Sequence, residues 1–313
     1  MKTKCILLFI TTIIVISACS QKQGQSELPD FDALWDYQYP DSTEMKFKEL
    51  LPISREANEP EYCLQLITQI ARAKGLQRQF GDAHALLDDV ESELNKKHKA
   101  ANIRYLLERG RLFNSSGQTA ESVPLFMEAW EFGVKHKLDL YAIDAAHMMG
   151  IVEVPEKQLD WNLKALDLTE RTEDKRAKGW LGSLYNNIGW TYHDLGEFQH
   201  AYDLFEKGTA WRKEVGDLHG ELIGKWTMAR ALRSLKKTDE ALEMQLALKA
   251  EYEEKQLAPD GYVFEELGEL FLSKQNTAKS KENFAIAYEL LSKDPWLVQN
   301  KAERLLRIKQ LSK

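Results

Sequence analysis

Seven histidines, three cysteines and 49 acidic side chains are the groups with which this chain could do chemistry. A metal centre needs such groups at ligand spacing: HExxH on one helix, paired CxxC motifs, or carboxylates clustered around a histidine. None of these spacings occurs. His147, in DAAHMMG, and His193, in WTYHDLG, stand singly and read as polar side chains on helix surfaces. A hydrolytic enzyme needs a nucleophile beside a base, or two carboxylates facing each other in a cleft. Cys63 has no catalytic pattern of His with Asn or Asp around it, and reads as a small packed residue of a helix. The acids fall where solvated helix faces would put them, and glycine-rich phosphate loops are absent. The expectation is a binding protein rather than an enzyme, with no metal and no cofactor.

The other two cysteines belong to an address. Lys2 and Lys4 precede an apolar run, CILLFITTIIVISA, from Cys5 to Ala18. Fourteen residues fall short of the roughly 20 a membrane span needs, and the pattern suits a signal peptide. Its end, Ile16-Ser17-Ala18-Cys19, resembles the lipobox of bacterial lipoproteins. That resemblance implies that residues 1–18 are removed and that Cys19 is acylated, anchoring the protein in the bacterial cell envelope. Ser20 in place of aspartate then implies the outer membrane, facing the periplasm, if the cell is Gram-negative. Residues 19–30 are polar and lack periodicity, so they read as a flexible tether. Cys63 is left as the one other mature thiol, with no internal disulfide partner.

Composition narrows the rest. Hydrophobic residues at 43% and charged residues at 29% allow a sizeable core. Only 8 prolines and 17 glycines in 313 residues favour helices over strands, which need more turns. A net charge of −7, with Lys2 and Lys4 lying in the signal, argues against nucleic acid as partner.

Any binding surface must be positioned by a repeat. In SLYNNIGWTYHDLGEFQHAYDLFEKG, residues 183–208, Gly189 and Ala201 stand 12 apart. The same small pair recurs as Ala71/Ala83, Gly110/Ser122, Ala229/Ala241 and Gly268/Ser280, with Ala146/Gln158 as the misfit. The first members are 36 to 43 residues apart. Large residues follow three positions later (Phe113, Met149, Tyr192, Leu232, Phe271), and again sixteen later (Leu87, Phe126, Phe205, Phe284). Spacings of 3 and 4 put these on one helix face, and the offset of 12 crosses a turn holding Gly117 or Gly196. Small side chains let two antiparallel helices approach to the near end of the usual 8–10 Å. Tyr192 and Phe205 are expected to fill the space on either side of that contact.

These columns resemble the tetratricopeptide repeat, in the longer-repeat subclass typified by kinesin light chains. The resemblance implies an all-α, right-handed superhelical solenoid of about six helix-turn-helix repeats over residues 57–295, best matched in repeat four. It implies a concave groove that takes a protein or extended peptide segment. Inner-face positions then give Asn186, Asn187, Trp190, His193, Trp226, Arg230, Arg233, Tyr262, Arg111 and His147 as the ligand groove, with Arg72 and Arg104 beside them. Asn187 matches a family asparagine that binds peptide backbone. The other repeats carry Gln69, Glu108, Asp144, Thr227 and Glu266 in that column, so no asparagine ladder is expected. Glu108 lies within reach of Arg104 and Arg111 on its own helix. A small-molecule or glycan ligand is the alternative occupant, on the strength of Trp190, Trp226 and Tyr262; an accessory role beside an envelope enzyme is another.

The ends carry their own expectations. Residues 31–56 form an N-terminal helical segment, with a short helix over 43–54 closed by Pro52. Residues 296–313 form one amphipathic capping helix, anchored by Trp296, that covers the last repeat. Pro124 either delays or bends the second helix of repeat two.

Overall fold

The structure, a computed structural model, describes residues 28–313. Cys5, Cys19 and the tether up to residue 27 lie outside them. Among the described residues every element is helical. After a 3₁₀ turn, Phe31–Leu34, helix α1 spans Pro40–Glu56. Six antiparallel hairpins follow: α2 (Pro60–Leu76) with α3 (Phe80–Glu93), α4 (Lys99–Ser115) with α5 (Thr119–His136), and α6 (Asp139–Val152) with α7 (Pro155–Arg171). A one-turn helix, α8 (Lys175–Lys178), leads to α9 (Leu181–Asp194) with α10 (Phe198–Glu214), α11 (Leu218–Ser234) with α12 (Thr238–Glu254), and α13 (Gly261–Ser273) with α14 (Thr277–Leu291). Two short helices, α15 (Pro295–Asn300) and α16 (Ala302–Leu311), close the array.

The two helices of a hairpin differ in burial, and this makes two layers. Each second helix buries a narrow stripe: Ala83, Leu87 and Val90 in α3, or Ala201, Phe205 and Gly208 in α10. The stripe follows the 3-and-4 spacing of one helix face. First helices are buried on more sides, as in α4, where even Arg104, Glu108 and Arg109 are largely removed from solvent. They form the inner layer and carry the groove.

The small residues do more than let backbones approach. A Cβ on Gly189 would stand 2.5 Å from Cε1 of Phe205, the aromatic of the same hairpin, and Gly110 meets Phe126 and Gly268 meets Phe284 in the same way. The glycine is a socket for the ring, so Phe205 does not flank the contact but fills it. The misfit repeat is closed by polar means. Gln158 donates to the Glu153 carbonyl at 2.9 Å, and Asn162 takes the ring's place, against Gly150.

The turns within hairpins share one device. Two residues before each of α3, α5, α10, α12 and α14 a residue adopts φ of +59° to +85°. Gly117 and Gly196 adopt it without a Cβ penalty, whereas Arg78, Lys236 and Gln275 adopt it with side chains. Glu153, before α7, does not, and Gln158 replaces the missing cap.

Four expectations are corrected, and one alternative is decided. Pro52 does not close α1, which continues to Glu56: the lost bond falls in one turn, and the end is sealed by Ala57 N–H donating to the Ile53 carbonyl at 3.0 Å. Of the two readings of Pro124 the late start is excluded, since α5 starts at Thr119 with the proline inside. The cap is two helices, broken at Lys301, whose φ of −134° leaves the helical region. Trp296 is 57% exposed and does not anchor it; Leu297, Leu305 and Ile308 do, packing on Phe284 and Leu291. Cys63, finally, is only half-buried on α2, not fully packed.

Candidate ligand-binding groove

The inner layer is knit by a ladder of charges between successive repeats. Arg72, one residue after the small residue of repeat one, meets Glu108, two residues before the small residue of repeat two, at 3.2 Å. Arg111 bridges Glu108, at 2.8 Å on its own helix, and Asp144 on the next repeat. Arg233 grips Glu266 with two hydrogen bonds, at 2.5 and 3.1 Å. The acids of the asparagine column thus serve the arginines of the preceding repeat. Burial works against the charge of Asp144, but Arg111 and Arg72 override it and hold the carboxyl below its usual range. Arg111 is correspondingly raised. Arg104 does not pair with Glu108; it binds Asp32 and Tyr141 instead.

Repeats three and four interrupt this ladder. The positions equivalent to Arg72 hold His147 and Trp190, and the facing column holds Asn187 and Thr227. His147 lies against Trp180, ring centroids 5.1 Å apart, and burial keeps it from protonating at its ordinary value. Asn186 and Asn187 bond to each other at 3.3 Å, and Asn187 is exposed. The groove is thereby divided into an N-terminal and a C-terminal half.

The C-terminal half is open. A cavity of about 440 Å³ is lined by Trp190, Trp226 and Tyr262 along one side and by Arg230, Arg233, Glu265, Glu266, Glu269, Arg304 and Arg307. The three aromatic rings follow one another at 5.8 and 5.7 Å, one from each of α9, α11 and α13. Trp226 is fixed by donating its indole N–H to the Tyr262 carbonyl at 3.1 Å. Arg304 and Arg307 come from α16 and pair with Glu265 and Glu269. Arg230 is the exception. Its nearest carboxylate, Glu266, stands 3.8 Å away and is already held by Arg233. Burial and the neighbouring Arg233 lower its proton affinity, the mark of a cation short of partners. His193 is pushed below its ordinary value by burial and by Arg230; its Nε2 lies 2.9 Å from the Ser234 hydroxyl, behind Trp190.

The geometry now stands beside what is known of other proteins. Residues 182–214, which are α9 and α10, match the tetratricopeptide repeat family profile. The array as a whole has the fold of tetratricopeptide-repeat solenoids. The fold is shared with the nearly identical repeats of a Podosopora anserina protein assigned as a kinesin light chain (18% identity, TM-score 0.50, 64% of this chain and 100% of that one). It is shared with BtubC from P. vanneervenii (13%, TM-score 0.53, 74% and 95%). It also resembles a signal-transduction ATPase with a tetratricopeptide-repeat sensor from Pyrococcus horikoshii (14%, TM-score 0.65, 84% of this chain and 41% of that one). No curated protein sequence matches the chain.

Of the ten groove residues expected from the sequence, the repeat solenoid brings five to the open cavity: Trp190, Trp226, Arg230, Arg233 and Tyr262. Asn186, Asn187 and His193 do not line it; Arg111 is held between Glu108 and Asp144, and His147 lies against Trp180. Arg304 and Arg307 were missed because the cap was read only as a cover. Glu266 was visible in its column but was not read as the partner of Arg233. Among the described residues no group of three or more His, Cys, Asp and Glu could hold a metal.

Proposed function

We propose that this protein is a peptide- or protein-binding adaptor whose open site is the groove of repeats four to six, and that Cys19 anchors it by lipid in a bacterial envelope. The tetratricopeptide-repeat scaffold is consistent with a protein-binding adaptor. The observation that carries the site is Arg230: a half-buried guanidinium without a hydrogen-bonding carboxylate, facing a 440 Å³ groove beside three aromatic rings. Such a site suits a segment that brings one carboxylate and an apolar or aromatic side chain. The flat faces of Trp190, Trp226 and Tyr262 also support a sugar as the second reading.

Peptides selected from a random dodecamer library against the full chain test the first reading. They should lose at least tenfold in affinity on Arg230→Ala and on Trp226→Ala, and the Arg230 effect should shrink as salt rises. Unchanged affinity in both variants refutes the groove; a library that yields no binding peptide, with glycans on an array bound in a Trp226-dependent way instead, refutes the peptide. The anchor is tested by Cys19→Ala, which should move the protein from the membrane fraction to the soluble one or leave the signal uncleaved. Wild-type protein found soluble refutes it.

A further inference from the structure

The N-terminal half of the groove is already filled. Residues 29–37, expected to be tether and the start of a helical segment, cross it as an extended strap around one 3₁₀ turn. Asp32 reaches Arg104 on α4 and, 144 residues away, Arg176 on α8, with the latter bond at 2.7 Å. Phe31 lies under the Arg104 guanidinium, 5.2 Å from it, and against Phe47 and Tyr62. Trp35 donates to Gln69 at 3.1 Å and stacks on Tyr37 at 4.8 Å, and Arg72 lies over both rings. The Tyr62 hydroxyl donates to the Pro29 carbonyl at 2.8 Å.

These contacts have the form of a bound peptide, because side chains from α2, α4, the α6 Tyr141 and α8 converge on a segment that otherwise packs only on Phe47 and Thr43 of the α1 that follows it. The charges ask for such a guest. Without the strap this lining holds three guanidiniums, Arg72, Arg104 and Arg176, against two carboxylates, Glu108 and Asp144, both of which are also held by Arg111. Asp32 supplies the missing acid. The fit is also imperfect. A cavity of about 240 Å³ remains beside the strap, and the buried Arg72 Nε and Glu108 Oε2 have no hydrogen-bond partner among the described residues. Tyr37 is 60% exposed. A guest that satisfied those two atoms would gain what the strap leaves unmade.

We infer that the groove of repeats one to three is a second binding site, separate from the open one, for a partner segment with an aromatic residue next to a carboxylate and a second aromatic three residues on. The strap, as Phe31-Asp32 followed by Trp35, is its built-in occupant. A partner must displace it, and the strap's high effective concentration makes it a strong competitor.

The probe is a labelled peptide of residues 28–39, LPDFDALWDYQY, titrated by fluorescence anisotropy against full-length protein. In the Asp32→Asn/Trp35→Ala chain the peptide should bind at least tenfold tighter than in wild type. Adding Arg104→Gln should return it to the wild-type level, as should an Asp32→Asn change in the peptide, while Arg230→Ala should change nothing. Equal binding to wild-type and opened chains overturns the inference, as does binding indifferent to Arg104. Dimerisation of the opened chain with no peptide bound would make a second copy the occupant and also overturn it. If the double variant does not fold, the isosteric Asp32→Asn alone is followed by hydrogen exchange. Residues 31–37 should then exchange at least tenfold faster with α2 to α14 unchanged; no change overturns the proposal.

Discussion

Replacing Gly189 by alanine tests the packing rule on which the fold rests. The new Cβ would fall 2.5 Å from the Phe205 ring, about 1 Å inside the normal carbon–carbon contact of 3.5–4.0 Å. Phe205 is 2% exposed and sits among Ala201, Met228 and Trp190, so its ring cannot swing into solvent. Overpacking of this kind costs about 1–3 kcal/mol. Against it stands the helix propensity of alanine over glycine, about 1 kcal/mol. The net expectation is a destabilisation of up to about 2 kcal/mol, read from urea unfolding followed by circular dichroism. Gly81→Ala is the control, because no atom lies within 4 Å of its Cβ position; it should be neutral or stabilising. Phe205→Leu makes room, so the double variant should be less unstable than the two singles add up to, with a coupling of about 0.5–3 kcal/mol. If Gly189→Ala is as stabilising as the Gly81→Ala control, or the two changes add without coupling, the glycine is not a socket. Because Phe205 also touches Trp190 at 5.3 Å, the same variant should weaken binding in the open groove.

Three further outcomes are expected. Glu108→Ala removes the buried acid shared by half-buried Arg72 and Arg111, leaving Arg111 only Asp144, and should cost about 3–5 kcal/mol; Asn187→Ala, in the same column but exposed, should leave stability equal or better by about 0.6 kcal/mol, and equal losses in the two would refute the ladder. Asp32, Glu44 and Asp144 are all held below their usual carboxyl values, so the stability they contribute is complete above about pH 4 to 5 and lost as pH falls through their lower folded values; an Asp144→Asn chain with an undiminished acid transition would exclude that residue as a contributor. Gly196→Ala should cost about 1–2 kcal/mol at its φ of +82°, whereas Lys236→Gly at the same turn position should be neutral or slightly stabilising, and thermal melts that rank them the other way would refute the shared turn.

The hairpins were legible because their signal is local: a small residue, a ring sixteen positions on, and a turn between. Periodicity reports which face is buried, and that decided the element types. It does not report what pairs across repeats. Arg111 and Asp144 are 33 residues apart, and Asp32 and Arg176 are 144 apart, so no helical spacing links them. The arginines were visible as an inward cluster in an acidic chain; that they bind the acids of the next repeat followed only from the geometry. The strap was illegible for a different reason. Its residues have no period, and a segment held by a groove looks in sequence like one held by nothing. The break at Lys301 and the exposure of Trp296 were likewise hidden, since an amphipathic pattern survives a one-residue kink.

The division of the groove follows from one column of side chains. Where the inner position carries arginine and the next repeat carries an acid, the groove floor is neutralised and locked, as at Arg72–Glu108 and Arg111–Asp144. Where it carries His147 or Trp190, the floor has no charge to lock and the facing residues, Asn187 and Thr227, are neutral. Charge reappears at Arg230 and Arg233 with a single acid, Glu266, between them. One of the two cations must therefore find its anion elsewhere. In the N-terminal half the same surplus exists, and Asp32 of the chain itself answers it. In the C-terminal half Arg304 and Arg307 arrive already paired with Glu265 and Glu269, so the cap deepens the groove without resolving the imbalance. The anion that Arg230 lacks is what the proposed ligand would bring.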